Sequence, residues 1–211
     1  MNPKITDIQD GKITEISVGE FRIPVHVFSV TNWNNKKNIG SIIEEYRKLI
    51  KDKKYKKSNI FFQDNKKYIL TFLKNLKSPF PEYNPDFVII FYPYDENRLN
   101  FLKCFVKGLK VKNITEIDFS KTFKKKEPEK SITEGLTKKD FVFFYNKTEL
   151  LKNILLIDDT ISEGRTVSIL LEFLQDNNLI DQHTIIRLVC AYNNEKSLKL
   201  DVNIALNSIK Q

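Results

Sequence analysis

The chain of 211 residues is long enough to bury one α/β core and too short for two domains of ordinary size. Its formal net charge of +8 and pI near 9.2 favour anionic partners, whether phosphate-rich small molecules, nucleic acid or an acidic protein surface. Cys104 and Cys190 are isolated, with no C-x-x-C spacing, and His26 and His183 are far apart, so neither a disulfide framework nor a local metal motif is suggested. The opening MNPKITDIQDGK lacks the apolar core of a signal peptide, and no apolar run approaches membrane-spanning length. A soluble, cytoplasmic protein with no membrane partner is the expectation.

Residues 13–30, ITEISVGEFRIPVHVFSV, alternate apolar and polar positions around Gly19 and Glu20 and predict a β-hairpin, with Pro24 arguing that its second strand lies at an edge. The polar stretch 31–37 reads as a turn, with Trp33 as a packing anchor. Residues 39–50 predict a helix whose apolar side carries Ile42, Ile43, Tyr46, Leu49 and Ile50. A basic run follows within 47–57: Arg47, Lys48, Lys51, Lys53, Lys54, Lys56 and Lys57 are opposed only by Asp52. A solvated helix end and loop explains it, and nucleic acid is the alternative partner, since Tyr46 and Tyr55 would add stacking to phosphate attraction. Ile60, Phe61 and Phe62 suggest a short strand, and Tyr68 to Leu76 a helix.

Pro79, Pro81 and Pro85 mark a connection into a continuous apolar run, Phe87 to Phe91, of the kind buried on both faces of a parallel sheet. A polar loop, Tyr92 to Arg98, and a helix over 99–109 with a stripe of Leu102, Phe105, Val106 and Leu109 complete a strand-loop-helix unit. Residues 111–119 predict a short strand. The charged stretch 120–139 is long for a structureless connection unless it works as a lid, and Phe141 to Tyr145 suggests a strand or packed turn.

The second such unit is the most informative stretch. Ile154 to Ile157 is an apolar run that Asp158 and Asp159 are expected to end abruptly, and Val167, Leu170, Leu171 and Leu174 give the following helix its stripe. A lone Asp-Asp pair more often caps a turn. Here the buried strand before it and S-x-G-x-T after it suit a ligand with hydroxyls on one side and a phosphate at a helix start on the other. Ile154 to Thr166, ILLIDDTISEGRT, resembles the phosphoribosyl pyrophosphate (PRPP) motif of type I phosphoribosyltransferases, and the chain as a whole is closest in pattern to their ComF-like branch.

By that resemblance, Asp158 and Asp159 would hold the ribose 2- and 3-hydroxyls. Thr160, Ile161, Ser162, Glu163, Gly164, Arg165 and Thr166 would wrap the 5-phosphate. The loop after the earlier strand would bind pyrophosphate through Tyr94, Arg98 and Lys103, with RLNF at 98–101 reminiscent of the branch's R-G-F-N. Mg²⁺ would arrive chelated by PRPP rather than on direct protein ligands. The family's mobile flap would correspond to 120–139, with part of its helical segment at 128–136. Glu163 stands where the family usually has a small or hydroxyl residue, a carboxylate beside a phosphate unless Arg165 pairs with it.

Thr184 to Tyr192 predicts another buried strand, and 199–206 a last edge strand. The expected fold is therefore α/β: a mainly parallel central sheet of about five strands with helices on both faces, like the type I phosphoribosyltransferases, plus an N-terminal hairpin and helix extension. Residues 1–80 would form that extension, packed on a core of 81–211 in one compact domain. The resemblance implies a transferase that moves ribosyl 5-phosphate from PRPP to a nitrogen nucleophile with release of pyrophosphate. The alternatives are a PRPP or nucleotide sensor without turnover, and a ComF-like nucleic-acid-handling protein. PRPP or a related sugar phosphate, nucleic acid at 47–57, and a second copy of the chain are the partners left open.

Overall fold

The computed structural model describes residues 5–18, 21–32, 39–76, 85–93, 96–111, 122–126, 137–145, 148–161 and 164–193. In chain order the elements are β1 (Ile5–Val18), β2 (Phe21–Asn32), α1 (Ile39–Lys51), α2 (Tyr55–Asp64), α3 (Lys66–Asn75), β3 (Phe87–Tyr92), α4 (Glu96–Leu109), β4 (Thr122–Lys125), β5 (Phe141–Phe143), β6 (Asn153–Ile161), α5 (Arg165–Asp176) and β7 (Ile185–Asn193). The strands form one sheet in the order β1-β2-β7-β6-β3-β4-β5. Its five inner strands, β2 to β4, run parallel, while β1 and β5 pair antiparallel at the two edges.

The apolar runs at 87–91 and 154–157, and the largely apolar 185–191, become the central strands because most of their residues find a covered face. In β6, Ile154 and Leu156 enter one core with α5, through Val167, Leu170, Leu171 and Leu174. Leu155 and Ile157 enter the other core with α1, α3 and α4, through Ile42, Ile43, Phe72, Leu102 and Phe105. This is the two-residue period of a strand buried on both sides. Helices thus cover both faces.

The helix of residues 39–50 is α1, with Ile39, Ile42, Ile43 and Tyr46 buried at helical spacing and Lys48 and Lys51 in its last turn, where they complement the helix dipole. α1 ends at Lys51, and Lys53 takes a left-handed φ of 57° at the turn into α2. At the α2–α3 junction, Asn65 Nδ2 donates to Phe61 O at 2.8 Å. Phe72 of α3 stacks on Phe101 and Phe105 of α4, with ring centroids 6.1 and 6.0 Å apart.

Four sequence expectations are corrected. Ile60 to Phe62 belongs to α2, not to a strand; Phe61 and Phe62 pack against the helical core while Ile60 is exposed. β2 lies inside the sheet, between β1 and β7, so Pro24 does not mark an edge: pairing with β7 begins at Val25, one residue after the proline. β4, pairing parallel with β3, falls within the stretch read as a lid. β6 continues through Asp158 and Asp159 to Ile161, with Asp158 opposite Cys190 and Thr160 opposite Tyr192 of β7. The strands expected at 111–119 and 199–206, the helical segment at 128–136 and Trp33 lie outside the described residues, apart from Val111, which is buried beside α4.

Candidate functional site

At the amino end of the sheet the two central strands are tied together: Asp86 accepts hydrogen bonds at its Oδ2 from Asn153 N (3.2 Å) and Nδ2 (3.1 Å). Their carboxyl ends lead instead to the starts of α4 and α5, the edge where α/β sheets commonly receive ligands. The acidic pair lies there. Because the strand pleat continues through it, the two carboxylates fall on different rows: Asp159 extends the row of Leu155 and Ile157 toward α1 and α4, and Asp158 that of Ile154 and Leu156.

Asp159 is only 1 % exposed and is held by a fork from α4: Arg98 Nε donates to Oδ2 at 2.5 Å and Nη2 to Oδ1 at 2.6 Å. Two residues expected to contact different parts of a ligand thus meet each other. A bidentate guanidinium pair is both strong and directional. Asp158, half-buried, accepts at Oδ1 from the Asp159 main-chain N–H at 2.7 Å. Lys103 lies five positions beyond Arg98 on α4 and is partly buried.

The electrostatics separate the two acids. Burial alone would push Asp159 up, but the Arg98 charge and fork, helped by Arg47, hold its carboxyl at about 2. Asp158 is raised well above the usual carboxylate range, first by burial and then by the charge of Asp159 next to it, with Arg98 and Arg47 opposing. One acid is thus firmly anionic and its neighbour reluctant to ionise.

Arg47 is the member that sequence reading missed. It was counted in the basic run, yet its Nη1 reaches from α1 to donate to Thr160 Oγ1 at 2.6 Å, and the buried Thr160 hydroxyl in turn lies 3.3 Å from Asp159 Oδ1. A helical position two turns beyond Gly40, one after the buried Tyr46, was the available signal that this cation sits beside the apolar stripe. Asn97, at the start of α4, donates to Tyr46 Oη at 3.1 Å and to Asn59 Oδ1 at 3.0 Å, linking α4 to α1 and α2.

Of the expected phosphate loop, Ile161 is a packing residue, 3 % exposed in the core beneath α5. Gly164 precedes α5 with φ 71°, a left-handed conformation that favours glycine, and its carbonyl accepts from Ser168 N at 2.9 Å. Arg165 is exposed and Thr166 partly buried in the first turn of α5. Ser162, Glu163 and Tyr94 lie outside the described residues. Among the described residues no group of three or more His, Cys, Asp and Glu is arranged to hold a metal ion.

Chemically, the cluster offers acceptors for a pair of hydroxyls, two guanidiniums for oxyanions, and a helix start close by. No protein-family model matches the chain, and no curated protein matches it.

Proposed function

We propose that this protein is phosphoribosyltransferase-like: it binds PRPP at the carboxyl end of β6 and transfers ribosyl 5-phosphate to a nitrogen nucleophile, releasing pyrophosphate. The observation that carries the reading is the acidic pair on the central strand, half-buried Asp158 and buried Asp159, a few residues before left-handed Gly164 opens α5, with Arg98 of the neighbouring unit bonded to Asp159. Asp158 and Asp159 receive the ribose hydroxyls. The Arg98 fork does not exclude this, because Asp159 Oδ2 keeps a second lone pair, while Oδ1 also accepts from Thr160 Oγ1 at 3.3 Å. Residues 160–166 surround the 5-phosphate, and Arg98, released in part from Asp159, meets the pyrophosphate. Mg²⁺ would arrive chelated by PRPP.

In this chemistry the C1–O bond to pyrophosphate breaks as the nucleophile's lone pair forms the new C1–N bond, and the nucleophile's proton is lost to solvent or a base. The chain contributes orientation of the sugar and stabilisation of the departing anion. Calorimetry with PRPP and Mg²⁺ on wild type and Asp158→Asn tests the binding step, and pyrophosphate release across a panel of bases and nucleosides tests turnover. The reading requires binding by wild type and at least a tenfold loss in the variant; no binding by wild type removes it. Binding without pyrophosphate release would mark a sensor that keeps the site.

A second reading, nucleic-acid handling, is favoured by the α2–α3 surface. Lys51, Lys53, Lys54, Lys56 and Lys57 are exposed, and an open groove of about 470 Å³ on α2 and α3 is lined by Gln63, Lys66, Lys67, Leu70, Thr71 and Lys74. It predicts single-stranded oligonucleotide binding that weakens steeply with salt and is lost on replacing Lys53, Lys54, Lys56 and Lys57 by Gln. Salt-insensitive or absent binding eliminates it.

A further inference from the structure

The guanidinium of Arg47 is poorly compensated for its surroundings. It is partly buried, and its one hydrogen bond among the described residues goes to a neutral hydroxyl, Thr160 Oγ1. Arg47 takes part in none of the ion pairs found among those residues. A guanidinium has five N–H donors, and the carboxylates of Asp159, Asp158 and Glu44 favour the Arg47 charge without accepting a hydrogen bond from it among the described residues. Its charge helps hold Asp159 anionic, but the Thr160 contact by itself gives little reason for a five-donor side chain here.

Its position supplies one. Arg98 engages Asp159, and Arg47 engages the next residue of β6, Thr160, so two helices direct two cations to adjacent positions of one strand end. The two guanidiniums disfavour each other's charge: after burial, Arg98 is the leading influence lowering the pKa of Arg47, against Asp159, Asp158 and Glu44, which raise it. An oxyanion beside both cations would relieve that repulsion and satisfy the remaining donors. Thr160 fixes the guanidinium in advance, which lowers the ordering cost of binding.

We propose that Arg47 is a ligand-binding residue of this site and holds phosphoryl oxygens of the bound molecule, a role that rests on the reading above that the site takes a phosphorylated sugar. The oxygens belong either to the 5-phosphate or to the pyrophosphate end, and the two halves of the ligand distinguish them.

The test titrates wild type and Arg47→Gln with PRPP plus Mg²⁺, with ribose 5-phosphate, and with pyrophosphate plus Mg²⁺, and records thermal melts of both proteins without ligand. The expected result is a tenfold or greater loss of PRPP affinity in the variant and a matching loss for one half-ligand, while the ligand-free melting temperature stays level or rises. If wild type binds PRPP and Arg47→Gln binds it equally well, the role of Arg47 is wrong and the PRPP reading stands. A variant whose ligand-free melting temperature falls by several degrees marks Arg47 as a structural residue and overturns the proposal. If wild type binds pyrophosphate or ribose 5-phosphate through Arg47 but ignores PRPP, the role holds and the choice of PRPP falls. Failure of all three probes to bind wild type overturns both.

Discussion

Asp158 and Asp159 are neighbours with opposite effects on stability. The folded-state pKa of Asp159, about 2, lies below its ordinary 3.8, so its contribution is fully present above about pH 4 and is lost as pH falls toward 2. The depression corresponds to about 2 kcal/mol. Asp159→Asn also removes the anion from the Arg98 fork, and we expect a loss of about 3 kcal/mol at pH 7, read from chemical denaturation. Asp158 is displaced upward, so its effect has the other sign: stability is greatest below pH 3.8 and declines as pH rises through the raised value. Asp158→Asn, which keeps an oxygen to accept from Asp159 N, should therefore melt higher than wild type at pH 8 and lose that advantage near pH 4. A lower melting temperature at pH 8 would show that the Asp158 charge is well solvated in the fold. Because this variant is expected to be the more stable protein, a loss of ligand in it cannot be ascribed to unfolding.

At the scale of elements, α3 and α4 are held together by aromatic contact. Phe72 is fully buried against Phe101 and Phe105, and truncating it leaves a cavity that neither helix can close without moving the other. Phe72→Ala should cost about 3–5 kcal/mol, measured by urea unfolding; a loss below about 1 kcal/mol would mean the gap collapses. How much of this could be read beforehand depended on the kind of signal. β3, β6 and β7 were legible because a strand covered on both faces carries a nearly continuous apolar run, and α1, α4 and α5 because their stripes repeat at helical spacing. Ile60, Phe61 and Phe62 misled because three apolar residues fit either period, and only the exposed Ile60 beside two packed phenylalanines reveals the helix. β4, TFKK, has one buried residue, Phe123, and no pattern of its own; it is a strand because β3 offers a partner. In the site, the acidic pair was conspicuous against an apolar strand. Arg47 was not, since a run of cations does not say which of them turns inward.

Across the whole molecule, distant segments meet in the sheet. β2, early in the chain, pairs through Val25–Val27 with Leu188–Cys190 of β7, and Phe21, Ile23 and Val25 are buried in the core shared with α5. Residues expected as an added N-terminal layer therefore complete the central architecture. Deleting residues 1–32 should expose one side of β7 and abolish cooperative unfolding, seen as a broad, low-amplitude melt; a sharp transition in the shortened protein would show that β6, β3 and the helices suffice. Such long-range pairing also predicts slow folding relative to a helical protein of equal size.

The place of β7 in the order has a further result for synthesis on the ribosome. Until residues 185–193 have emerged, the ribbon of β1 and β2 and the group of β6, β3, β4 and β5 have no strand to join them, and β6 lacks the neighbour that faces its acidic pair. A nascent chain carries these fragments with their inner borders bare, exposed to chaperones and to wrong partners. The arginine-gripped centre is accordingly among the last parts of the protein to take shape, and a truncated translation product would possess every residue of the pair yet no place for them to act.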